Sequence, residues 1–505
     1  MKTRKFLWVL LPVAAVLLMT ACGGDDADDV TPVPSPVTPG TDSHVVNSLP
    51  YTVTVKTADV TRTSVDNDDI TLRFESDDML YVQNADGTVY GSLTLKAGTG
   101  ETSATFAGTI NYTGSTPAAS TSLTATLVGS SNQLNMVENG KVKTDANITY
   151  PGTVCESMSD AVQKYSWISG TGTYGEATFA LAQKTAFLKF NVTLEDGTTG
   201  GDIVPVVIKS GGSTIGTGNV TSTGSQFNAL ASFILPLKHG SAIAGDTEMC
   251  VANVGDDDES ITFGTGSTVT LVGGKVYPVT RTKDFVRLWA GGPVWATKNI
   301  GATSVTDKGG YYCWGGLVDV TNVTLGWNSN CPYWKSGSGT GHRTDFTNID
   351  LKFSRYVPTA STEYWGGDGN PDNLTTLLPE DDVATQTLGS PWRMPTIDEF
   401  DKSTGLLAKT TKLGTTVNGA LGVIYTGISD YNKKAIFLPT AGDRVSTGNG
   451  TGYGAPETIG IYWSSSLKTD QPYCAQDILS YQNTSASSTT FQFRNYGRNV
   501  RAVHN

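Results

Sequence analysis

The chain has 505 residues, with 35 Lys and Arg against 47 Asp and Glu, for a net charge of −12. That sign excludes nucleic acid and the anionic face of a bilayer as natural partners, since both are polyanions. Only 16% of residues are charged while 57 are Gly, and Val/Ile/Thr/Tyr/Phe runs separated by Gly-rich turns describe a modular β protein of about three domains.

Lys2, Arg4 and Lys5 precede an apolar run from Phe6 to Leu18, shorter than the ~20 residues a spanning helix needs. It closes on Met19-Thr20-Ala21-Cys22. Small residues before a cysteine suit a lipoprotein signal peptidase, so residues 1–21 read as a signal peptide and Cys22 as the lipidated first residue. An ordinary cleaved signal or a membrane anchor is the alternative. Asp25, Asp26, Asp28 and Asp29 follow. They resemble the export signal of Bacteroidetes surface lipoproteins, which implies an outer-membrane lipoprotein exposed on the cell surface, touching the membrane through lipid alone. Pro32, Pro34, Pro36 and Pro39 then favour extended, unpaired backbone, so residues 22–49 read as an acidic, Pro-rich tether.

Regular structure is expected from Tyr51, where Tyr-Thr-Val-Thr-Val-Lys alternates with period two. Further strand candidates are Ile70–Phe74, Met79–Gln83, Ser122–Val128, Ala186–Leu194, Ile203–Ile208, Met249–Val254 and Thr268–Val272. In Ala186–Leu194, Ala186, Leu188, Phe190, Val192 and Leu194 share one face and Lys189, Asn191 and Thr193 the other, which predicts a half-buried antiparallel strand. Strands at short intervals predict two β-sandwiches, over 50–165 and 166–282, with a short helical segment near Ser159 between them. After Cys22, the cysteines are Cys155, Cys250, Cys313, Cys331 and Cys474. An odd set without CxxC spacing specifies neither a disulfide framework nor a zinc site, so buried thiols are expected, with Cys313 and Cys331 the pair to inspect.

This half resembles the fimbrillin family. The matching pieces are Thr61-Arg62-Thr63-Ser64, Ile70-Thr71-Leu72-Arg73-Phe74-Glu75 and Asp78-Met79-Leu80-Tyr81-Val82. Leu181-Ala182-Gln183-Lys184-Thr185-Ala186-Phe187-Leu188-Lys189-Phe190 and Gly274-Lys275-Val276-Tyr277-Pro278-Val279-Thr280 complete the set, so the resemblance covers about residues 50–282. It implies two transthyretin-like sandwiches, partnership with other pilus subunits by donor-strand exchange, and removal of a first strand by an arginine-specific protease. The first arginine after Cys22 is Arg62, the expected processing site; the alternative is an uncut turn.

A composition shift near 282–284 opens the last domain, 283–505, where Thr396-Ile397-Asp398-Glu399 has the spacing of a capping box. Val294-Trp295-Ala296-Thr297-Lys298-Asn299, Tyr311-Tyr312-Cys313-Trp314-Gly315 and Trp392-Arg393-Met394-Pro395-Thr396 recur in order with Ile436-Phe437-Leu438-Pro439-Thr440-Ala441-Gly442, Tyr462-Trp463-Ser464-Ser465-Ser466 and Val500-Arg501-Ala502-Val503. The series resembles the FISUMP family, the Fibrobacter succinogenes major paralogous domain. That implies an α+β, C-type-lectin-like fold related to formylglycine-generating enzymes. Those enzymes need a cysteine pair in the C-terminal part of the fold, and only Cys474 is present there. His44, His239, His342 and His504 are scattered, with no HExxH, nucleophile elbow or phosphate loop. The expectation is a binding protein, not an enzyme.

Trp295, Trp314, Trp392 and Trp463 lie within these motifs and read as packed scaffold. Trp327, Tyr333, Trp334, Tyr364 and Trp365 lie in the long stretch between Trp314 and Pro379, where loops of such length carry function. They are the candidate contacts for a host or bacterial surface glycan or protein, with simple loop packing as the alternative. Asp368, Asn370 and Asp372 place oxygen ligands at i, i+2 and i+4, the opening of a calcium loop, with Glu380, Asp381 and Asp382 able to add carboxylates. No other cofactor is implied, and a solvated acidic turn is the alternative. Together these readings describe a mainly β surface adhesin, a tip-type pilus subunit displaying a lectin-like domain. The rival is a monomeric glycan-binding lipoprotein that does not polymerise.

Overall fold

The computed structural model describes residues 46–57, 74–176, 178–251, 260–338, 349–447, 450–453, 457–484 and 486–505. Cys22, the four aspartates, Arg62 and most of the expected strand Ile70–Phe74 lie outside the described residues.

The period-two pattern at Tyr51 becomes β1 (Val46–Thr57), with Val53 and Val55 on the inner face. It is followed by β2 (Met79–Gln83), β3 (Val89–Ala97), β4 (Ser103–Thr113) and β5 (Ser122–Val128). A small hairpin, β6 (Val137–Glu138) and β7 (Lys141–Val142), precedes β8 (Ile168–Thr173) and β9 (Thr178–Gln183). These strands close into a barrel in the order β1-β4-β3-β2-β5-β8-β9. The closing strand is β1, antiparallel to β4 from Val46 to Lys56 and parallel to β9 from Thr54 to Thr57. Barrel curvature brings β3 and β4 so close that a Cβ on Gly91 would sit 2.5 Å from the Thr109 carbonyl oxygen, which only glycine avoids. Because β9 pairs with β1, the first β unit runs to Gln183, past the expected boundary at 165.

The expected helix near Ser159 is α1 (Met158–Tyr165), whose N-cap Ser157 accepts a hydrogen bond from the Asp160 amide. It shares an apolar cluster with Leu134, Trp167, Phe187 and Ile234, which ties the barrel to the next unit. That unit comprises β10 (Thr185–Leu194), β11 (Ile203–Ser210), β12 (Ser213–Thr221), β13 (Thr223–Ser225) and β14 (Asn228–Lys238). It continues with β15 (Ala242–Ile243), β16 (Glu248–Val251), β17 (Ser260–Thr262), β18 (Val269–Thr270) and β19 (Val276–Lys283). Two four-stranded sheets, β13-β14-β10-β19 and β12-β11-β16-β17, enclose a core of Phe190, Phe233, Met249 and Phe263. The face assignment within β10 holds, but the strand is only half antiparallel: it pairs antiparallel with β14 and parallel with β19. A period-two pattern shows which face is buried and is silent on neighbour direction.

β19 passes through Asp284 into β20 (Phe285–Arg287), which forms a hairpin with β21 (Val294–Asn299). β21 in turn pairs with the last strand, Arg501–His504, so both ends of the C-terminal domain share one sheet. Two further three-stranded sheets, Thr410–Pro439 and Ile459–Phe493, carry most of the regular structure. Helices are short among the described residues of this domain, the longest being Val383–Leu388.

A buried ion cluster fastens this domain to the second β unit. Asp196 sits between Lys283, 3.2 Å away, and Lys434, 2.9 Å away. Asp196 and Lys283 are fully buried and Lys434 is 5% exposed. The Ala435 amide also donates to the Asp196 carbonyl oxygen at 2.8 Å, an approach that a Cβ on Gly197 would block at 2.6 Å.

Candidate functional site

The stretch between Trp314 and Pro379 is built around Phe353. Trp334–Ser338 pairs with Asp350–Phe353, and Trp365 bridges to Phe353 from the other side. Trp334 and Trp365 therefore flank one buried phenylalanine on a small sheet. All five candidate aromatics are half-buried and pack against the domain core. Trp327 meets Phe353 and Phe493 edge-on, with centroids 6.0 and 5.6 Å apart. Tyr364 meets Tyr473 at 5.2 Å and Tyr333 meets Tyr356 at 5.7 Å. For Trp327, Tyr333 and Tyr364 this is the loop-packing alternative; each ring is held by other rings. Trp365 donates through Nε1 to the Gly369 carbonyl oxygen at 3.0 Å. The indole N–H groups of Trp327 and Trp334 are buried with no acceptor among the described residues, two donors of the kind a ligand can satisfy.

Four of the carboxylates proposed for calcium have protein partners. Asp372 accepts from the amides of Tyr356, Val357 and Leu374 at 2.8, 3.0 and 3.2 Å. Its oxygens therefore hold the chain at Tyr356, while Asp368 and Asn370 are exposed. Glu380 pairs with Arg355 at 2.6 Å. Asp382 caps the helix Val383–Leu388 and also accepts from the Met394 amide at 2.8 Å. Asp381 accepts from the hydroxyls of both Tyr333 and Tyr356, and Arg355 pairs with it at 2.7 Å. Burial, followed by the hydrogen bond to Asp381, pushes Tyr333 up to about 12, so it donates at any physiological pH. Among the described residues no group of three or more His, Cys, Asp or Glu converges as a metal site would require.

Three arginines of the closing segment are missing from the sequence reading as structural elements. Arg494, Arg498 and Arg501 are at most 1% exposed. Arg494 lies over the rings of Trp314 and Phe353, 5.0 and 4.5 Å from their centroids, and donates to the carbonyls of Arg355 and Tyr356. Arg498 covers Trp463 at 4.5 Å and pairs with Asp477 and Asp443. Arg501 donates to Asn299 Oδ1 and to the Ala296 and Phe437 carbonyls at 2.9, 3.0 and 2.8 Å. Their only signal in the sequence is arginine at i, i+4 and i+7 in the closing segment. The scaffold tryptophans behave as expected: Trp295, Trp314 and Trp463 are buried and Trp392 is half-buried.

Cys155, Cys313, Cys331 and Cys474 are buried free thiols, so Cys313 and Cys331 form no disulfide. Burial pushes the Cys155 and Cys331 thiols up to about 12 and those of Cys313 and Cys474 well above their ordinary value. All four stay protonated and unreactive near neutral pH.

No protein-family model matches the chain, and no curated protein matches it. Among solved structures the chain is similar to a fimbrial assembly protein from Parabacteroides distasonis, at 12% identity and a TM-score of 0.24, over 46% of this chain and 91% of that one. It is also similar to the tip fimbrial protein Mfa3 from Porphyromonas gingivalis with C-terminal truncation, at 10% identity and a TM-score of 0.24, over 46% of this chain and 94% of that one.

Proposed function

We infer that this chain is a lipid-anchored surface adhesin of pilus-subunit type, which accepts a strand from a neighbouring subunit and displays its C-terminal domain for recognition. The observation that carries the reading is the position of β1. It is the first strand among the described residues, it lies between β4 and β9, and Arg62 follows it by a few residues. Cleavage after Arg62 frees β1 and leaves a slot lined by Phe106, Ile110 and Phe179, which share the barrel core with Tyr51, Val53 and Val55. A replacement strand regains main-chain hydrogen bonds at ~0.5–1.5 kcal/mol each and large apolar side chains at ~1.5–3 kcal/mol each. Arg501, Ala502 and Val503 are fully buried in the strand that pairs with β21, so this segment is held within its own domain.

N-terminal sequencing of the protein recovered from sheared pili tests this, with a new terminus after Arg62 expected. Recovery with Tyr51 still attached refutes strand replacement. Absence of the protein from sheared pili favours the second reading, a monomeric surface glycan-binding lipoprotein, which the complete closure of the barrel by β1 supports. For recognition, Trp334 and Trp365 are the reading's ligand contacts, since they flank Phe353 at the edge of the aromatic stretch. Replacing both with Ala is expected to abolish adhesion while leaving pilus length unchanged; adhesion that persists refutes their role.

A further inference from the structure

A second aromatic surface lies away from that stretch, in the hairpin between β20 and β21. The chain turns at Trp289–Gly292, where the Gly292 amide donates to the Trp289 carbonyl oxygen at 3.1 Å and Gly291 takes a φ of +69°. The indole of Trp289 folds back over Gly292. A Cβ at that position would sit 2.3 Å from Cε2 and 2.4 Å from Nε1 of the ring, so glycine is what lets the ring lie on the backbone. Arg287 donates to the Gly292 carbonyl and fixes the turn from below. Trp289 is half-buried and lines a depression of about 330 Å³ with Arg287, Asp398, Thr404 and Gly405 among its walls.

The opposite wall is equally preformed. A Cβ on Gly405 would lie 2.4 Å from the carbonyl oxygens of Asp398 and Glu399, so the loop closes against the helix Ile397–Phe400 only with glycine there. In that helix Thr396 and Glu399 form the capping box, and Glu399 is further held by Arg393 through contacts of 2.7 and 2.6 Å. Asp398 takes no part in the cap and is exposed. The depression therefore offers one rigid indole face, a carboxylate outside the cap, a hydroxyl and a guanidinium. Charges of both signs disfavour a ligand of high net charge. A neutral ring with one apolar C–H face and several hydroxyls matches all of these groups, and the volume lies at the lower end of the ~300–1,000 Å³ typical of small-ligand pockets.

We propose that the Trp289 depression is a saccharide subsite that binds a neutral pyranose, with the sugar's C–H face on the indole and its hydroxyls on Asp398 and Thr404. This deepens the adhesin reading by naming a ligand class at a place separate from Trp334 and Trp365. Binding is read on purified protein and pilus incorporation on cells, so either reading can fail alone. The test is saturation-transfer NMR of the full chain with the methyl β-pyranosides of glucose, galactose and N-acetylglucosamine, and an acetylated dipeptide amide as comparison. Transfer to the ring C–H protons of at least one pyranoside is expected. Trp289→Ala should weaken it at least tenfold, and Asp398→Asn, which leaves the capping box intact, should weaken it severalfold. Ile203→Ala, at an exposed position of β11 outside both aromatic surfaces, should leave it unchanged. The proposal is overturned if no pyranoside shows transfer, if the dipeptide binds in preference, if folded Asp398→Asn and Trp289→Ala bind as the parent does, or if Trp334→Ala alone removes the signal.

Discussion

Replacing Asp196 with Ala is expected to loosen the C-terminal domain from the β unit before it. Asp196 is the shared anion for Lys283 and Lys434 and also accepts from Thr198 Oγ1 at 2.6 Å. Its loss takes a shared carboxylate from two ammonium groups at 5% exposure or less. Breaking a buried pair in this way costs ~3–5 kcal/mol. Of the ten tryptophans, all but Trp8 and Trp167 lie in the C-terminal domain, so urea unfolding followed by tryptophan fluorescence reads the loss directly. Asp196→Leu combined with Lys283→Met and Lys434→Met should restore most of it, because apolar replacement of a whole buried cluster is often neutral or stabilising. The pH dependence has a definite sign. Burial alone would raise the Asp196 carboxyl, but Lys283 and Lys434 outweigh it and hold the group well below the ordinary carboxylate range. A depressed folded pKa gives stability that is present above the unfolded value of ~3.9 and disappears as pH falls through the folded one. The parent should therefore keep its domain junction down to about pH 4. A loss below ~1 kcal/mol in Asp196→Ala, or no recovery in the triple variant, would refute the reasoning.

Asp78, at one end of the barrel, carries the opposite sign: burial pushes its carboxyl up to about 6. A raised carboxyl pKa stabilises below the unfolded value and is lost as pH rises through 6, so Asp78→Asn should gain about 2–3 kcal/mol at pH 7 and flatten the stability profile between pH 4 and 6. Denaturant midpoints across that window check it. Arg501→Met strands Asn299 Oδ1 and two carbonyl oxygens that Arg501 now satisfies, and at ~1–3 kcal/mol per orphaned acceptor a loss of at least ~3 kcal/mol is expected. Thermal unfolding measures that loss, and Arg501→Lys should recover only part of it, since an ammonium cannot match three acceptors spread around a planar fork.

Much of this architecture was legible from the residues alone. Met79–Gln83 and Ser122–Val128 are strands over the expected residues, and Thr396 and Glu399 make the capping box that their spacing announced. Trp295, Trp314 and Trp463 are buried where the motifs placed them. Each of these depends on chemistry within a few neighbouring positions: a side-chain period, a cap, a large apolar ring. The calcium pattern at Asp368, Asn370 and Asp372 has equally local spacing, yet Asp372 is taken by the amides of Tyr356 and Val357, 16 and 15 positions away. Closure of the barrel rests on Thr54 meeting Thr178. The junction of Asp196 rests on Lys434, 238 positions on, and the arginines at 494, 498 and 501 are buried because tryptophans and carbonyls from distant segments surround them. A charged side chain has no preference of its own for the interior. Only the fold, by supplying a counter-charge, a ring face or a set of carbonyls at the right distance, offsets the cost of removing it from water.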